Sequence, residues 1–254
     1  MPTDLQHIEK HYRVLCETIG NRLCGHPGEQ QAADYISSVW AQNGLEDVHQ
    51  EPFRFPNWRH KKIGLWVGRS KPTRRTPCGP MVYSPSTPSG GVQGPLVYLQ
   101  GGHKHDFNQK LKGKIGLVIG SLSLQEEALK RRLITSGLRG LLVVDNRFAH
   151  DLTYSAGAAP QWIGNYTLPT VSVPFTVASD LVKKLPLTAR ICVTAQFTMD
   201  LSQNVVGEIA GSTFKEEVIA VTAHHDCVHD VVGADDNGAW MGCFRLLFRG
   251  GQIS

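Results

Sequence analysis

Residues 216–239 read EEVIAVTAHHDCVHDVVGADDNGA, an apolar run that opens onto histidines and then aspartates. The β-branched stretch EVIAVTA predicts a strand buried on both faces of a sheet. That reading puts His224 at the strand's carboxyl end, where open α/β sheets keep their ligand sites. On an extended chain residues two apart share a side, so His224 and Asp226 point together while His225 points away. An imidazole so placed can bind a metal while the carboxylate fixes its other nitrogen. Asp235 and Asp236 follow in the turn Gly-Ala-Asp-Asp-Asn, ahead of a helical-looking segment. A carboxylate held in such a turn can bridge two cations with one oxygen each, in a mixed nitrogen and oxygen set that zinc accepts. His-x-Asp alone is a weak signal; followed by Gly-Ala-Asp-Asp-Asn on a buried strand it becomes specific.

Each of these side chains also has an ordinary use. Asp226 and Asp236 suit the capping of turns. His229 and Asp230 read as exposed loop residues, and Cys227 as a small buried apolar one. His103 and His105 have ligand-like spacing but no carboxylate partner in context, so they read as surface loop.

Moving outward, Leu5, Ile8, Tyr12, Leu15 and Ile19 mark one helix face over residues 3–19. After the break Gly25-His26-Pro27-Gly28, EQQAADYISSVWAQNG predicts a second helix closed by Asn43-Gly44. EDVHQEPFRF predicts a strand, and from Pro56 to Pro95 the chain is rich in turn formers, with short apolar bursts at IGLWVG and MVYS. The clearest unit is strand, helix, strand: Lys114–Gly120, Leu124–Ser136 and Leu141–Val144. LPTVSVPFTVASDLVKKL gives a strand, a turn and a short helix, and ARICVTAQFTM a further strand. After Asn204, NVVGEIAG and EEVIAVTAHHD predict two strands joined at Gly211-Ser212.

The chain has 254 residues, 41% of them hydrophobic, enough for one large core or two of medium size. No apolar run approaches the roughly 18 residues of a membrane span, and no signal peptide opens the sequence, so with Met1 as the true start the cytoplasm is expected, or secretion if residues precede it. The net charge of +4 comes from scattered basic clusters without aromatic recognition motifs, which argues against nucleic-acid binding. Six cysteines without Cys-x-x-Cys spacing signal neither a cysteine zinc site nor a disulfide framework. The sequence has no Gly-x-Ser-x-Gly elbow, dinucleotide fingerprint or phosphate-binding loop. Asn165-Tyr166-Thr167 matches a glycosylation acceptor, relevant only to a secreted chain.

The stretch NVVGEIAGSTFKEEVIAVTAHHDCVHDVVGADDNGA resembles the start of the catalytic domain of the co-catalytic dizinc exopeptidases, of the aminopeptidase Y and bacterial leucyl aminopeptidase type. LKGKIGLVIG, SGLRGLLVVDN and LPTVSVP resemble the protease-associated domain that many members carry inserted ahead of that point. The resemblance implies a mixed-sheet α/β peptidase domain, incomplete here, with a β-rich insertion. Residues 1–56 would be leading helices and edge strand, 57–200 the protease-associated domain with linkers, and 201–254 the first catalytic strands, metal motif and one helix. It implies His224 and Asp235 as zinc ligands, Asp235 bridging, Asp226 as the carboxylate orienting His224, and a cis peptide between Asp235 and Asp236. Two Zn²⁺ per site would activate a water that attacks the carbonyl of a peptide substrate.

The family's pattern then calls for a Glu-Glu pair, a further acidic ligand and a distant histidine, whereas no acidic residue follows Asp236. Partial zinc binding or none, and little activity of this chain alone, are therefore expected. The pattern suggests a truncated or frameshifted reading from about residue 240, with unpaired sheet edges and exposed apolar surface as an aggregation liability. A rival reading is a binding protein that engages a protein partner through the protease-associated domain or the open sheet edge.

Overall fold

A computed structural model describes residues 4–107, 110–120, 127–144, 153, 165–211, 213, 217–228 and 231–238. It resolves into two units, one of residues 1–57 with 199–254 and the other of residues 58–198.

The first unit opens with α1 (Asp4–Arg13), which widens into a π-type turn over Val14–Ile19. The apolar face predicted for this segment is used only at its far end: Leu15 is buried, whereas Leu5 is 78% exposed. Pro27 sits in the first turn of α2 (Pro27–Gln42), where a missing N–H costs nothing, and His26 caps it by accepting from the Gly28 N–H. Gly44, at φ 83°, takes the left-handed geometry that ends a helix. Glu29, in the first turn of α2, is buried and accepts from Gly25 N–H at 2.6 Å, Ser202 Oγ at 2.6 Å and Cys24 Sγ at 3.3 Å. Three donors offset the cost of hiding its charge. Leu15, Cys16 and Ala32 form a small core joined by Tyr12, Tyr35 and Ala234.

Two long strands, β1 (Glu46–Gly68) and β8 (Thr188–Glu208), contain the unit boundaries. Both differ from expectation. β1 passes Pro56 without a break, and β8 passes Asn204, so NVVGE is the end of one strand rather than a new one.

The second unit also holds β2 (Arg74–Thr76), β3 (Gly79–Pro80), β4 (Val92–Tyr98), β5 (Ile115–Ile119), α3 (Glu127–Thr135), β6 (Gly140–Val144), β7 (Thr170–Ser172) and α4 (Phe175–Lys183). The strand order is β2-β1-β8-β4-β5-β6-β7-β3, with β4 to β7 parallel and β2, β3 and β8 antiparallel to β1, β7 and β4. The sheet is therefore mixed. Period-two alternation divides its core. Ile115, Leu117, Leu142, Val144 and Val171 face a cluster with Ala178 and Leu181 of α4, while Val118, Leu141 and Val143 face Leu129 and Leu133 of α3. Parallel strands covered on both faces make each of these residues fully apolar in its surroundings, which is why IGLVI and LLVV read as unbroken runs.

Tyr166 and Thr170 share a buried hydrogen bond, Thr170 N–H donates to Ser84 Oγ, and Trp58 Nε1–H to the Ser84 carbonyl. None of the described helices is long and apolar enough to cross a membrane.

Candidate metal centre

The run EVIAVTA does not form the predicted strand. Residues 217–228 carry no regular secondary structure, and Val218 and Ile219 are 88% and 74% exposed. A β-branched run becomes a strand only when a neighbour takes its ladder hydrogen bonds. Among the described residues no strand lies alongside this one.

The chain nonetheless gathers three of the predicted side chains. His224 Nδ1 stands 2.9 Å from Asp226 Oδ1, and His224 Nε2 stands 2.9 Å from Asp236 Oδ1. One imidazole is thus held between two carboxylates and stays about half exposed, open to solvent. A metal held at Nε2 would replace the contact of that nitrogen with Asp236.

Asp235 is not in this set. It is exposed and makes no ion pair among the described residues, so Asp236, one position later, is the carboxylate that meets His224. The cis peptide likewise lies between Asp236 and Asn237 and not between Asp235 and Asp236. Spacing alone leaves the register inside a turn open by one residue. Here the backbone decides it, with Asp236 at φ −114°, ψ 89° carrying its side chain toward the histidine.

The donor pair suits a small divalent cation. Two ligands at about 2.0–2.1 Å from one tetrahedral zinc stand about 3.3 Å apart, a few tenths of an ångström more than the nitrogen to oxygen separation seen here. Among the described residues no set of three or more histidine, cysteine, aspartate or glutamate side chains converges for a metal. Among the described residues of 224–236, two donors stand side by side.

The loop that carries them folds back on residues 15–22. Cys227 N–H donates to the Arg22 carbonyl at 3.2 Å, and Arg22 N–H to Cys227 Sγ at 3.0 Å. Cys227 is buried, bonds Val231 through its thiol, and has its pKa raised by burial, which fits its reading as a packing residue. Gly233, at φ 58°, and Gly238 close the Gly-Ala-Asp-Asp-Asn turn by a 2.8 Å bond between their N–H and C=O groups. A Cβ at Gly233 would meet Cys227 Cβ at 2.6 Å, and one at Gly238 would meet Cys16 Sγ at 2.9 Å. Arg22, which the sequence reading passed over, is 1% exposed and donates to the carbonyls of Leu15, Gly20, His225, Val232 and Gly233. His225 is half-buried, and burial pushes its imidazole below the ordinary histidine value.

His103 and His105 are exposed beside the short turn Lys104–Phe107, and they do have a carboxylate partner: Asp106 accepts from His103 N–H and lies 3.3 Å from His105 Nε2. Asp106 thus caps that turn. Asn165 is exposed in a turn. His229, Asp230 and the apolar tail from residue 239 fall outside the described residues.

Residues 204–247, which contain this motif, match the model of peptidase family M28. The chain is 26% identical to aminopeptidase YwaD of Bacillus subtilis over 242 residues, covering 94% of this chain and 50% of that one. Carboxypeptidase Q of Homo sapiens is 23% identical over 263 residues, with 89% of this chain and 50% of the relative covered. Among solved structures, a zinc aminopeptidase from Bacillus subtilis shares the fold of this chain at a TM-score of 0.73 and 22% identity, covering 98% of this chain and 57% of that one. An M28 peptidase precursor from Shewanella amazonensis gives the same TM-score at 17% identity, with 94% and 61% covered. The chain spans about half the length of the relatives it matches.

Proposed function

We propose that residues 224–236 are one part of the zinc centre of an exopeptidase that removes residues from the amino end of peptides. The observation that supports this reading is the placement of His224 between Asp226 and Asp236, with contacts of 2.9 Å on each side. Asp226 fixes the Nδ1 side of the ring, so that Nε2 is presented outward, and Asp236 offers a second donor beside it. Asp236, as a carboxylate, would supply oxygen to such a centre, a donor type that zinc accepts beside imidazole nitrogen. Zinc bound there supplies Lewis-acid polarisation of a peptide carbonyl. The exposed position of the pair leaves room for an extended substrate, whose carbonyl must approach to within a few ångströms. We assign residues 57–200 to a protease-associated domain, a reading supported by a compact unit over residues 58–198 with its own two-sided core.

The test is metal titration of the 254-residue chain together with hydrolysis of aminoacyl chromogenic substrates, with and without zinc. Zinc uptake that disappears in His224→Ala and in Asp236→Asn supports the reading. Uptake unchanged in both variants would remove it. With only two donors converging among the described residues, turnover by this chain alone is expected to be weak or undetectable.

The same shortage of donors favours a second reading, a non-catalytic protein that uses residues 58–198 to hold a protein partner. Stable folding without metal, no zinc uptake and no hydrolysis would favour it.

A further inference from the structure

From the geometry around its guanidinium we infer that Arg22 is a positioning residue for the metal motif, clamping the two ends of the 225–233 loop so that His224 and Asp236 meet. This rests on the zinc reading proposed above for those two residues.

Arg22 is among the most deeply buried side chains of the chain. Among the described residues its acceptors are five main-chain carbonyls and no carboxylate: Nε–H donates to His225 at 2.8 Å, Nη1 to Leu15 at 2.8 Å, Gly20 at 3.1 Å and Val232 at 2.7 Å, and Nη2 to Gly233 at 3.1 Å. Two of these carbonyls belong to the turn after α1, and three to the metal-motif loop. The three are not scattered along that loop. His225 is the residue after His224, and Val232 and Gly233 lead directly into the turn that carries Asp236.

The described part of this loop has no regular secondary structure, so few polar contacts set the separation of its two ends, and three of them come from one guanidinium. The guanidinium fork offers five N–H groups in one plane, and here those groups are spent on fixing backbone rather than on pairing charge. Lysine keeps the charge but has three donors on a tetrahedral nitrogen, so it cannot reach both sides of the loop at once. The main-chain pairing of Arg22 with Cys227, and the closure of Gly238 on Gly233, lock the same frame from either side of the clamp. Groups that orient a ligand without touching the metal typically account for about 10- to 100-fold in its affinity.

The experiment compares the wild-type 254-residue chain with Arg22→Lys, with His224→Ala, and with Ile36→Val as a control that loosens the packing of α2 without touching the loop. Zinc affinity is measured by competition with a chromophoric chelator, and amide hydrogen exchange is followed in the metal-free proteins. Arg22→Lys is expected to weaken zinc binding at least tenfold and to speed exchange at the Cys227 and Gly238 amides. Ile36→Val should change the affinity by less than twofold. In the wild type those two amides should open together with residues 15–22 at one common exchange free energy, a readout that stands even if Arg22→Lys does not fold. Zinc affinity of Arg22→Lys within twofold of wild type, or independent opening of the two segments, overturns the inference. If the wild type takes up no zinc, or His224→Ala does not weaken it, the zinc reading fails instead, while the exchange data still decide whether Arg22 clamps the loop.

Discussion

The sheet of residues 58–198 and the loop of residues 217–238 solve the same problem, fixing side chains in space, by opposite means. The sheet does it by number: alternating apolar residues on four parallel strands are trapped between α3 and α4, so that position follows from burial. The loop does it by a few polar contacts, with Val218 and Ile219 left in solvent while one guanidinium and two glycines set the backbone. A fault in the sheet should therefore cost stability and spare the site. A fault in the loop should do the reverse.

The largest effect is expected from Leu117→Ala, which empties a fully buried position in the sheet. It should lower unfolding free energy by about 2–5 kcal/mol in denaturant titration. Zinc affinity should be unchanged, and a parallel fall in it would erase the contrast between the regions. Asp226→Asn is the converse. It removes the carboxylate from the Nδ1 side of His224 and should weaken zinc about 10- to 100-fold, equivalent to about 1.4–2.7 kcal/mol, with a melting temperature within a few degrees of wild type. A smaller change sharpens the local rules: Gly137→Ala imposes a side chain at φ 78°, at the end of α3, and should cost about 1 kcal/mol by thermal unfolding. The smallest concerns Cys24, whose thiol is pushed up to about 12, chiefly by burial. At pH 8 it should stay unmodified by iodoacetamide in the folded chain and react only once urea unfolds the protein.

How much was legible in the sequence follows the same division. The β5-α3-β6 unit was plain because its two periodicities are local and change sharply at Gly137. β4 was not, because Gly94-Pro95 imitates a turn. In the structure Pro95 ends the register with β8, and the strand passes to β5 from Leu96 onward, so the apparent break is a change of partner. Pro56 misled in the same way inside β1. The pairing of His224 with Asp226 was legible, since i and i+2 meet on any extended chain whether or not it joins a sheet. Which of two adjacent aspartates faces the histidine was not legible, because one residue of register in a turn depends on backbone angles that composition does not set. Arg22 carried no signal at all. A single arginine with no acidic partner nearby in sequence looks like surface, and its five acceptors come from backbone that is distant in the chain.

The two outermost strands of the sheet have a consequence for how the molecule behaves in a crowd. A sheet invites foreign strands wherever a row of unpaired N–H and C=O groups is left at its margin. Here one margin is β3, only two residues long and ending in Pro80, which has no N–H to offer. The other is β2, three residues long and bearing the exposed Arg74 and Arg75. Among the described residues both of these margin strands are short, and like charges at the second would repel a copy of itself. The parallel core can be strongly apolar, as its packing demands, because among the described residues its four strands lie inside the sheet, between these two margins.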